Sequence, residues 1–176
     1  MQKQRGRAGR PAYLIGNGSD DHRIEPNDGS RKPLKLAGVV VSDGYTPVAH
    51  SDGDVVYHAL ANALLLAIGE RDIGFHFPDT DPDYEGIEGG RLLGFVMGKV
   101  REAGYAVSNA TVMITAGRPR LSGHIDRMRK NVATALGVDE GSVGIGATTG
   151  EGLSEHGKGR GINAAANVML RRSEGE

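Results

Sequence analysis

The chain has 176 residues with 21 basic and 22 acidic side chains, which gives a formal charge of −1. This balance gives no general reason to expect a nucleic-acid partner or an acidic membrane surface, and the length fits one compact domain. The absence of cysteine excludes disulfides and thiolate zinc ligands, so any zinc site must use histidine and carboxylate groups. No apolar run reaches the roughly 18 residues that span a bilayer.

The chain divides into a basic start, one domain and a short tail. Residues 1–12 predict a disordered leader, residues 13–172 a single domain and residues 173–176 a tail. Residues 12–20 predict a short strand ending in a turn at Gly16 and Gly18. That turn would place Asp20 and His22 just beyond the strand end.

The remaining segments alternate between strand and helix patterns. A helix is expected over about 53–69, with Ser51 or Asp52 as its N-cap. Residues 71–90 predict a long loop rich in Asp, Pro and Gly, of the kind that is functional or mobile in a compact domain. The other predicted elements are a strand or hairpin over 33–44, helices over 91–104 and 122–136, and strands over 111–120, 142–149 and 162–170. Because strands are as frequent as helices, we predict an α+β fold, a mixed β-sheet with helices packed on one side.

The helix over about 53–69 is the most informative stretch. Asp54, His58 and Asn62 are spaced four residues apart and form one polar seam on an otherwise apolar cylinder. Burying such groups without partners would cost on the order of 2–7 kcal/mol each. The seam therefore indicates a bound group, and the nearby imidazole of His22 favours a metal.

Asp20 and His22 can join His58 as metal ligands. In extended backbone, side chains two residues apart point to the same side. Two imidazoles and one carboxylate leave one tetrahedral position open, which is the pattern of catalytic zinc sites. Alternatively, His22 is a solvated loop residue and His58 a core histidine with satisfied hydrogen bonds. Residue types and spacing leave both interpretations open.

Further stretches could bind phosphate or sugar, and each has a plainer alternative. His50 and Ser51 at a helix N-terminus could face a phosphate, or Ser51 could cap the helix. Residues 72–74 and 77–81 could accept hydrogen bonds from sugar hydroxyls or hold Mg²⁺ through water, or form an Asp/Pro turn.

Two later segments have the same ambiguity. Residues 118–120 could bind phosphates through their planar guanidinium groups. Alternatively, they form a solvated basic turn. Residues 148–151 could donate threonine hydroxyls to phosphate oxygens. Together, these stretches indicate a zinc-dependent site for a nucleoside diphosphate.

Several of these motifs occur together in one enzyme family. Over residues 13–172 the chain resembles the 2-C-methyl-D-erythritol 2,4-cyclodiphosphate synthases. The matching motifs are Gly16-x-Gly18-x-Asp20-x-His22, AHSDGDVVYHAL, RDIG with FPDTDP, and ATTGEGL. The order of AHSDGDV, HAL, DIG and FPDTDP is highly specific to this family.

The resemblance implies an activity and an assembly. The enzyme would be a phosphorus-oxygen lyase of the non-mevalonate isoprenoid pathway. It would convert 4-diphosphocytidyl-2-C-methyl-D-erythritol 2-phosphate to the cyclodiphosphate and release CMP. It would be a cytoplasmic homotrimer with its sheets around a central three-fold axis and three active sites between neighbouring subunits. Its partners would be this nucleoside-diphosphate substrate and its own copies, with no nucleic acid and no membrane.

The resemblance also implies cofactors and residue roles. Asp20, His22 and His58 would hold Zn²⁺, a second ion, Mg²⁺ or Mn²⁺, would bridge the diphosphate, and the substrate's 2-phosphate would attack the β-phosphorus. His50 and Thr149 would stabilise the transition state. The substrate site would comprise His50, Ser51, Asp72, Ile73, Gly74, Phe77, Pro78, Asp79, Thr80 and Asp81. The cytidine pocket would comprise Ala116, Gly117, Arg118, Pro119, Arg120, Leu121, Ser122, Thr148, Thr149 and Glu151.

The chain departs from the family pattern at several positions. Asn62 stands where aspartate is usual, an exchange that can weaken support for the metal or its neighbours. In the axial cavity, Glu155 replaces a phenylalanine, Lys158 an anion-binding arginine, and Arg160 a glutamate. We therefore expect an active enzyme with an altered axial cavity.

Two other function classes remain as alternatives. Asn62 and the altered 154–160 loop favour a non-catalytic, trimeric paralogue that binds metal and cytidine nucleotide. A generic zinc phosphohydrolase is a third possibility, and the FPDTDP loop, which suits a specific diol substrate, argues against it.

Overall fold

The computed structural model describes residues 9, 11–78 and 80–173. Asp79, most of the predicted leader and all of the predicted tail except Ser173 lie outside these residues. The strands are β1 (Tyr13–Pro26), β2 (Leu34–Leu36), β3 (Val39–Ser42), β4 (Tyr45–Val48), β5 (Tyr105–Thr115), β6 (Val143–Thr148) and β7 (Gly161–Arg172). The helices are α1 (Val55–Ala67), α2 (Ile73–His76), α3 (Gly89–Glu102) and α4 (Ile125–Leu136), and single 3₁₀ turns occur at Pro82–Tyr84, Glu140–Ser142 and Gly150–Gly152.

Five strands form one mixed sheet in the order β4-β1-β7-β5-β6. Neighbours pair antiparallel except β5 and β6, which are parallel and therefore need a crossover, supplied by the segment that contains α4. Strands β2 and β3 form a separate antiparallel hairpin, one of the two forms predicted for residues 33–44. The α+β class and the mixed sheet are confirmed.

The core lies on one face of the sheet. Helix α1 packs across β1 and β7, α3 contacts α1 and β5, and α4 contacts β6. Alternate residues of β7, from Ile162 to Leu170, are buried under these helices. On the other face Ile15 is 77% and Met113 52% exposed, because no described part of the chain covers them. None of the described helices combines the length and apolar character needed to cross a membrane.

The turn predicted at Gly16 and Gly18 is wrong, because β1 runs straight through both residues. The glycines instead allow β1 to lie against α1. A Cβ on Gly16 would collide with the carbonyl oxygen of Ala63, and one on Gly18 would lie 2.8 Å from the Asn62 Cβ. Asp20 and His22 therefore lie within β1 rather than beyond its end.

Asp54, not the predicted Ser51 or Asp52, caps the N-terminus of α1. Its buried carboxylate accepts from two backbone N–H groups of the first helical turn. It also accepts from the N–H groups of Ala37 and Gly38 in the β2–β3 turn, at 2.8 and 2.7 Å. Burial raises the pKa of Asp54 to about 6, while these N–H donors oppose the rise.

Candidate metal centre and active-site cavity

The structure brings the three predicted metal ligands together. Asp20 Oδ2 lies 3.2 Å from His22 Nε2 and 3.0 Å from His58 Nδ1. One ligand atom from each residue lies within 4.8 Å of the other two. Two features produce this convergence: Asp20 and His22 share one face of extended β1, and Gly18 lets β1 approach the helix that carries His58.

The environment of the three residues fits a divalent cation. His22 Nε2 is buried and, although Asp20 Oδ2 is 3.2 Å away, makes no hydrogen bond of adequate geometry among the described residues, which is costly unless another group binds it. Burial also lowers the pKa of His22, against the charge of Asp20, and so favours the neutral ring that a metal ligand needs. Two imidazoles and a carboxylate form a donor set suited to zinc with an open position.

His58 responds differently, because Asp20 is its direct partner. Burial lowers the pKa of His58, but the hydrogen bond and charge of Asp20, together with the charges of Asp54 and Asp52, outweigh it and the pKa is raised. A protonated His58 ring cannot bind a cation through the nitrogen that carries the proton. Metal binding and deprotonation of His58 would therefore be linked.

Asp52 lies behind His58 and was predicted only as a possible helix cap. Its Oδ1 is 3.9 Å from His58 Nε2, and its Oδ2 accepts from the N–H of Gly89 at 2.9 Å. At that distance the carboxylate makes no hydrogen bond to Nε2, and its negative charge is one of the influences that raise the pKa of His58. The AHSDGDV motif contains Asp52, but spacing alone did not indicate which ring it faces.

Lys32 is a second residue that the sequence did not indicate. Its ammonium group donates to the carbonyl oxygen of Ala49 at 2.7 Å and to that of Ser51. Partial burial lowers the pKa of Lys32, against the charge of Asp52. Lys32 thus fixes the loop that carries His50, although a lysine between arginine and proline carries no recognisable local signal.

A cavity of about 640 Å³ opens beside the three metal ligands. This volume suits a small-molecule ligand. Tyr84, Glu85 and Ile87 contribute to its wall, although the sequence did not predict them. The predicted substrate residues that line it are His50, Ser51, Ile73, Gly74, Phe77, Thr80 and Asp81.

The other predicted substrate residues do not line this cavity in the described part of the chain. Asp72 caps α2, where its Oδ1 accepts from the N–H of Phe75 at 3.0 Å. Pro78 lies outside the lining set, and Asp79 outside the described residues.

The predicted cytidine residues form a separate group at the ends of the parallel strands β5 and β6. The N–H of Ala116 donates to the carbonyl oxygen of Thr148 at 2.9 Å, which holds residues 116–122 beside residues 148–151. Ala116 and Leu121 are buried, whereas Thr148 and Thr149 are exposed. None of this group lines the 640 Å³ cavity of the same chain.

The three departures at positions 155, 158 and 160 form an exposed ion-pair cluster. Arg160 binds Glu155 through two parallel hydrogen bonds, from Nε at 2.5 Å and from Nη2 at 2.6 Å. Lys158 Nζ lies 3.8 Å from Glu155 Oε1. Next to them His156 Nε2 is 2.8 Å from Asp21 Oδ1, so this end of the sheet is polar and charged.

Comparison with known proteins shows the family to which this chain belongs. The model of the YgbB family matches residues 13–171. The chain belongs to the YgbB family. A YgbB-family relative in Trichlorobacter lovleyi, a 2-C-methyl-D-erythritol 2,4-cyclodiphosphate synthase, is 45% identical over 156 residues, 89% of this chain and 97% of that protein. The resemblance noted from the sequence motifs is confirmed.

Solved structures of YgbB-type proteins share the fold. The IspF–CDP complex of Plasmodium falciparum has a TM-score of 0.81 at 28% identity and covers 94% of this chain and 99% of that one. The bifunctional IspDF of Campylobacter jejuni has a TM-score of 0.86 at 36% identity. It covers 92% of this chain but only 43% of the IspDF chain.

Proposed function

We propose that this YgbB-family protein is a 2-C-methyl-D-erythritol 2,4-cyclodiphosphate synthase. It would convert 4-diphosphocytidyl-2-C-methyl-D-erythritol 2-phosphate to the cyclodiphosphate and CMP in isoprenoid biosynthesis, as a phosphorus-oxygen lyase. The observation that carries the proposal is the Asp20–His22–His58 triad beside a 640 Å³ cavity, in a chain 45% identical to a synthase of that name.

The reaction needs no protein nucleophile. An oxygen of the 2-phosphate attacks the β-phosphorus, the bond from that phosphorus to the bridging oxygen breaks, and CMP leaves with the electron pair. The protein therefore contributes positioning and charge neutralisation. Zinc at the triad would supply Lewis-acid polarisation of a phosphate oxygen, and Mg²⁺ or Mn²⁺ would neutralise the diphosphate.

The residues around the cavity suit the two parts of this substrate. Exposed His50 lies on a loop fixed by Lys32, so its imidazole is available to phosphate oxygens without further ordering of the backbone. Ile73 and Phe77 give the wall an apolar surface suited to the methyl-branched carbon chain. Asp81 and Glu85 add carboxylates that can accept from hydroxyl groups.

A homotrimer would complete the site. The uncovered sheet face exposes Ile15 and Met113 beside the hydrogen-bonded pair Asn17 and Asn167, and such exposed apolar side chains favour contact with another copy. In such a trimer Thr149 and the cytidine residues of one subunit would close the cavity of its neighbour. CDP is bound in the Plasmodium falciparum relative, which supports a cytidine nucleotide as the ligand. The cytoplasmic location and the division at residues 13–172 stay predictions.

The axial cavity of this trimer would differ from the family pattern. The paired charges of Glu155 and Arg160 replace an aromatic lining with a polar one. We therefore propose that an apolar axial ligand would bind weakly here, since it would have to displace or desolvate this ion pair.

Phosphorus NMR tests the proposed reaction directly. The purified protein with the cytidine diphosphate substrate, Zn²⁺ and Mg²⁺ should form the cyclic diphosphate and CMP in equal amounts. Chelation with EDTA should stop the reaction, and restored metal should restart it. Binding of the substrate without product would instead identify the non-catalytic paralogue, and release of inorganic phosphate would identify a phosphohydrolase.

A further inference from the structure

Asn62 connects three elements that meet at the metal centre. It lies one helical turn beyond His58 on α1 and is half-buried. Its Nδ2 donates to the carbonyl oxygen of Ser19 at 3.2 Å, and its Oδ1 accepts from the N–H of Ile73 at 3.0 Å. Ser19 immediately precedes the ligand Asp20, and Ile73 begins α2 and lines the cavity. The side chain therefore contacts the backbone on both sides of the site.

The connection to β1 has little freedom to move. The Asn62 Cβ lies so close to Gly18 that a Cβ on that glycine would be only 2.8 Å away. Strand and helix backbones are thus in direct contact at this level, one residue before Ser19 and two before Asp20. A group fixed to α1 at position 62 is therefore fixed relative to the metal ligands as well.

Asn62 holds the N-terminal end of α2, whereas His76, which contacts Phe95 and Glu70, holds the C-terminal end of this helix. The helix has only four residues and none of them is buried. A single helical turn is unstable on its own, so its position depends on contacts with neighbours. Asp72 satisfies the N–H of Phe75, and Asn62 satisfies that of Ile73.

An amide can make both hydrogen bonds at this position, whereas an ionised carboxylate cannot. An aspartate at position 62 could accept from Ile73, but its second oxygen would face the Ser19 carbonyl with no proton to donate. The two contacts together therefore explain an asparagine rather than its isosteric acid. The expected weakening of the site by Asn62 does not follow from these contacts, since the amide adds a link.

We propose that Asn62 is a positioning residue that holds α2, and with it the cavity wall at Ile73 and Phe77, at a fixed distance from the metal ligands on β1. Calling this wall a substrate wall rests on the proposed function. The positioning of α2 by Asn62 does not depend on the proposed function, because hydrogen exchange measures this positioning without turnover.

Hydrogen exchange at the Ile73 amide, followed by NMR, tests the link. In Asn62→Ala the amide should exchange roughly 3- to 10-fold faster, the effect of losing one net hydrogen bond. In Asn62→Asp it should stay within about 2-fold of wild type, because the acceptor remains. Exchange at the Ala166 amide in central β7 reports global opening and should not change in either variant.

Asn131→Ala is the matched control. Asn131 is also half-buried, and its Nδ2 donates to the carbonyl oxygen of Ala37 at 2.9 Å, outside the cavity lining. It should leave Ile73 exchange unchanged. The proposal would be overturned if the Ile73 amide of Asn62→Ala exchanged at the wild-type rate. It would also be overturned if the Ile73 and Ala166 amides of this variant exchanged faster by the same factor.

Steady-state kinetics provide the second measurement. Asn62→Ala should raise KM roughly 3- to 10-fold with kcat within about 2-fold, since the wall contributes binding rather than charge stabilisation. A fall in kcat with unchanged KM would contradict the positioning role. A wild-type protein without turnover would refute the proposed function alone, because the exchange result would still decide the link.

Discussion

At the scale of single residues, polar side chains on α1 connect elements instead of satisfying one another. Asp54 binds the β2–β3 turn, His58 binds Asp20 on β1, and Asn62 binds the first residue of α2. Three groups spaced along one helix thus fix three different neighbours. Because each is wholly or partly buried, losing one leaves a desolvated partner behind, and the effects of substitution should be large.

Replacing His58 with alanine should remove the metal. The variant loses one of three protein ligands, so zinc affinity should fall by at least about 100-fold, more than the usual effect of an outer-shell change. Metal content per chain after dialysis is the measurement. His124→Ala, at the start of α4, should keep its zinc. Unchanged zinc in His58→Ala would disprove the ligand assignment.

Asp54→Ala should lower the free energy of unfolding by about 2–4 kcal/mol, because backbone N–H groups at two elements lose their buried acceptor. Urea denaturation followed by circular dichroism measures the change. The exposed carboxylate of Asp43 provides the control, and Asp43→Ala should change stability by less than about 0.5 kcal/mol. Equal effects of the two substitutions would show that the Asp54 contacts are not stabilising.

At the scale of elements, the contact between β1 and α1 creates the metal centre. Strand β1 supplies Asp20 and His22, and α1 supplies His58. The spacing of the two elements is set by Gly16 and Gly18, which leave no room for a side chain. The arrangement of the three candidate ligands is therefore a direct consequence of backbone packing.

Gly18→Ala tests this dependence. The added Cβ would collide with the Ala59 carbonyl oxygen, so strand and helix must separate, and stability should fall by about 2 kcal/mol or more together with zinc affinity. Thermal unfolding and zinc titration measure both effects. Gly94→Ala on α3 meets open space and should instead stabilise by about 1 kcal/mol from helix propensity. Zinc binding at wild-type strength in Gly18→Ala would exclude the packing explanation.

The same glycines show where sequence reasoning succeeds and fails. A polar partner for His58 was predictable, because an imidazole on an apolar helix needs one whatever the fold, but residue types left open whether that partner was a metal, and the family resemblance favoured the metal. Gly16 and Gly18 were assigned to a turn, because local rules treat glycine as flexible backbone and cannot see a helix packed above a strand. The roles of Asp52 and Lys32 depend on loops meeting in space, so no spacing in the sequence indicated them.

At the scale of the whole molecule, one chain carries two separate groups of predicted site residues. The metal ligands and cavity lie between β1, α1 and α2, whereas Thr149 and the cytidine residues lie at the ends of β5 and β6. The sheet presents an uncovered face on which Ile15 and Met113 are exposed. The proposed trimer accounts for both observations, since it buries the face and joins the two groups across a subunit boundary.

Ile15→Asp should disrupt the trimer. A carboxylate on the uncovered face would be desolvated in the interface, so the variant should elute as a monomer of about 18.5 kDa by light scattering and lose activity. Leu66→Asp is the control, because Leu66 is 51% exposed on α1, away from the sheet face. It should remain trimeric. A monomeric wild type would refute the shared site.

The separation of the two groups has a genetic consequence. A chain lacking His58 and a chain carrying Thr149→Val would each be inactive alone, yet each retains the half that the other has lost. When both chains are co-expressed in equal amounts and assemble at random, about a quarter of the sites would be intact. Each of these sites would combine intact metal ligands from one subunit with intact cytidine residues from its neighbour. Two recessive alleles of this single gene would then complement each other, whereas two alleles damaged in the same half would not.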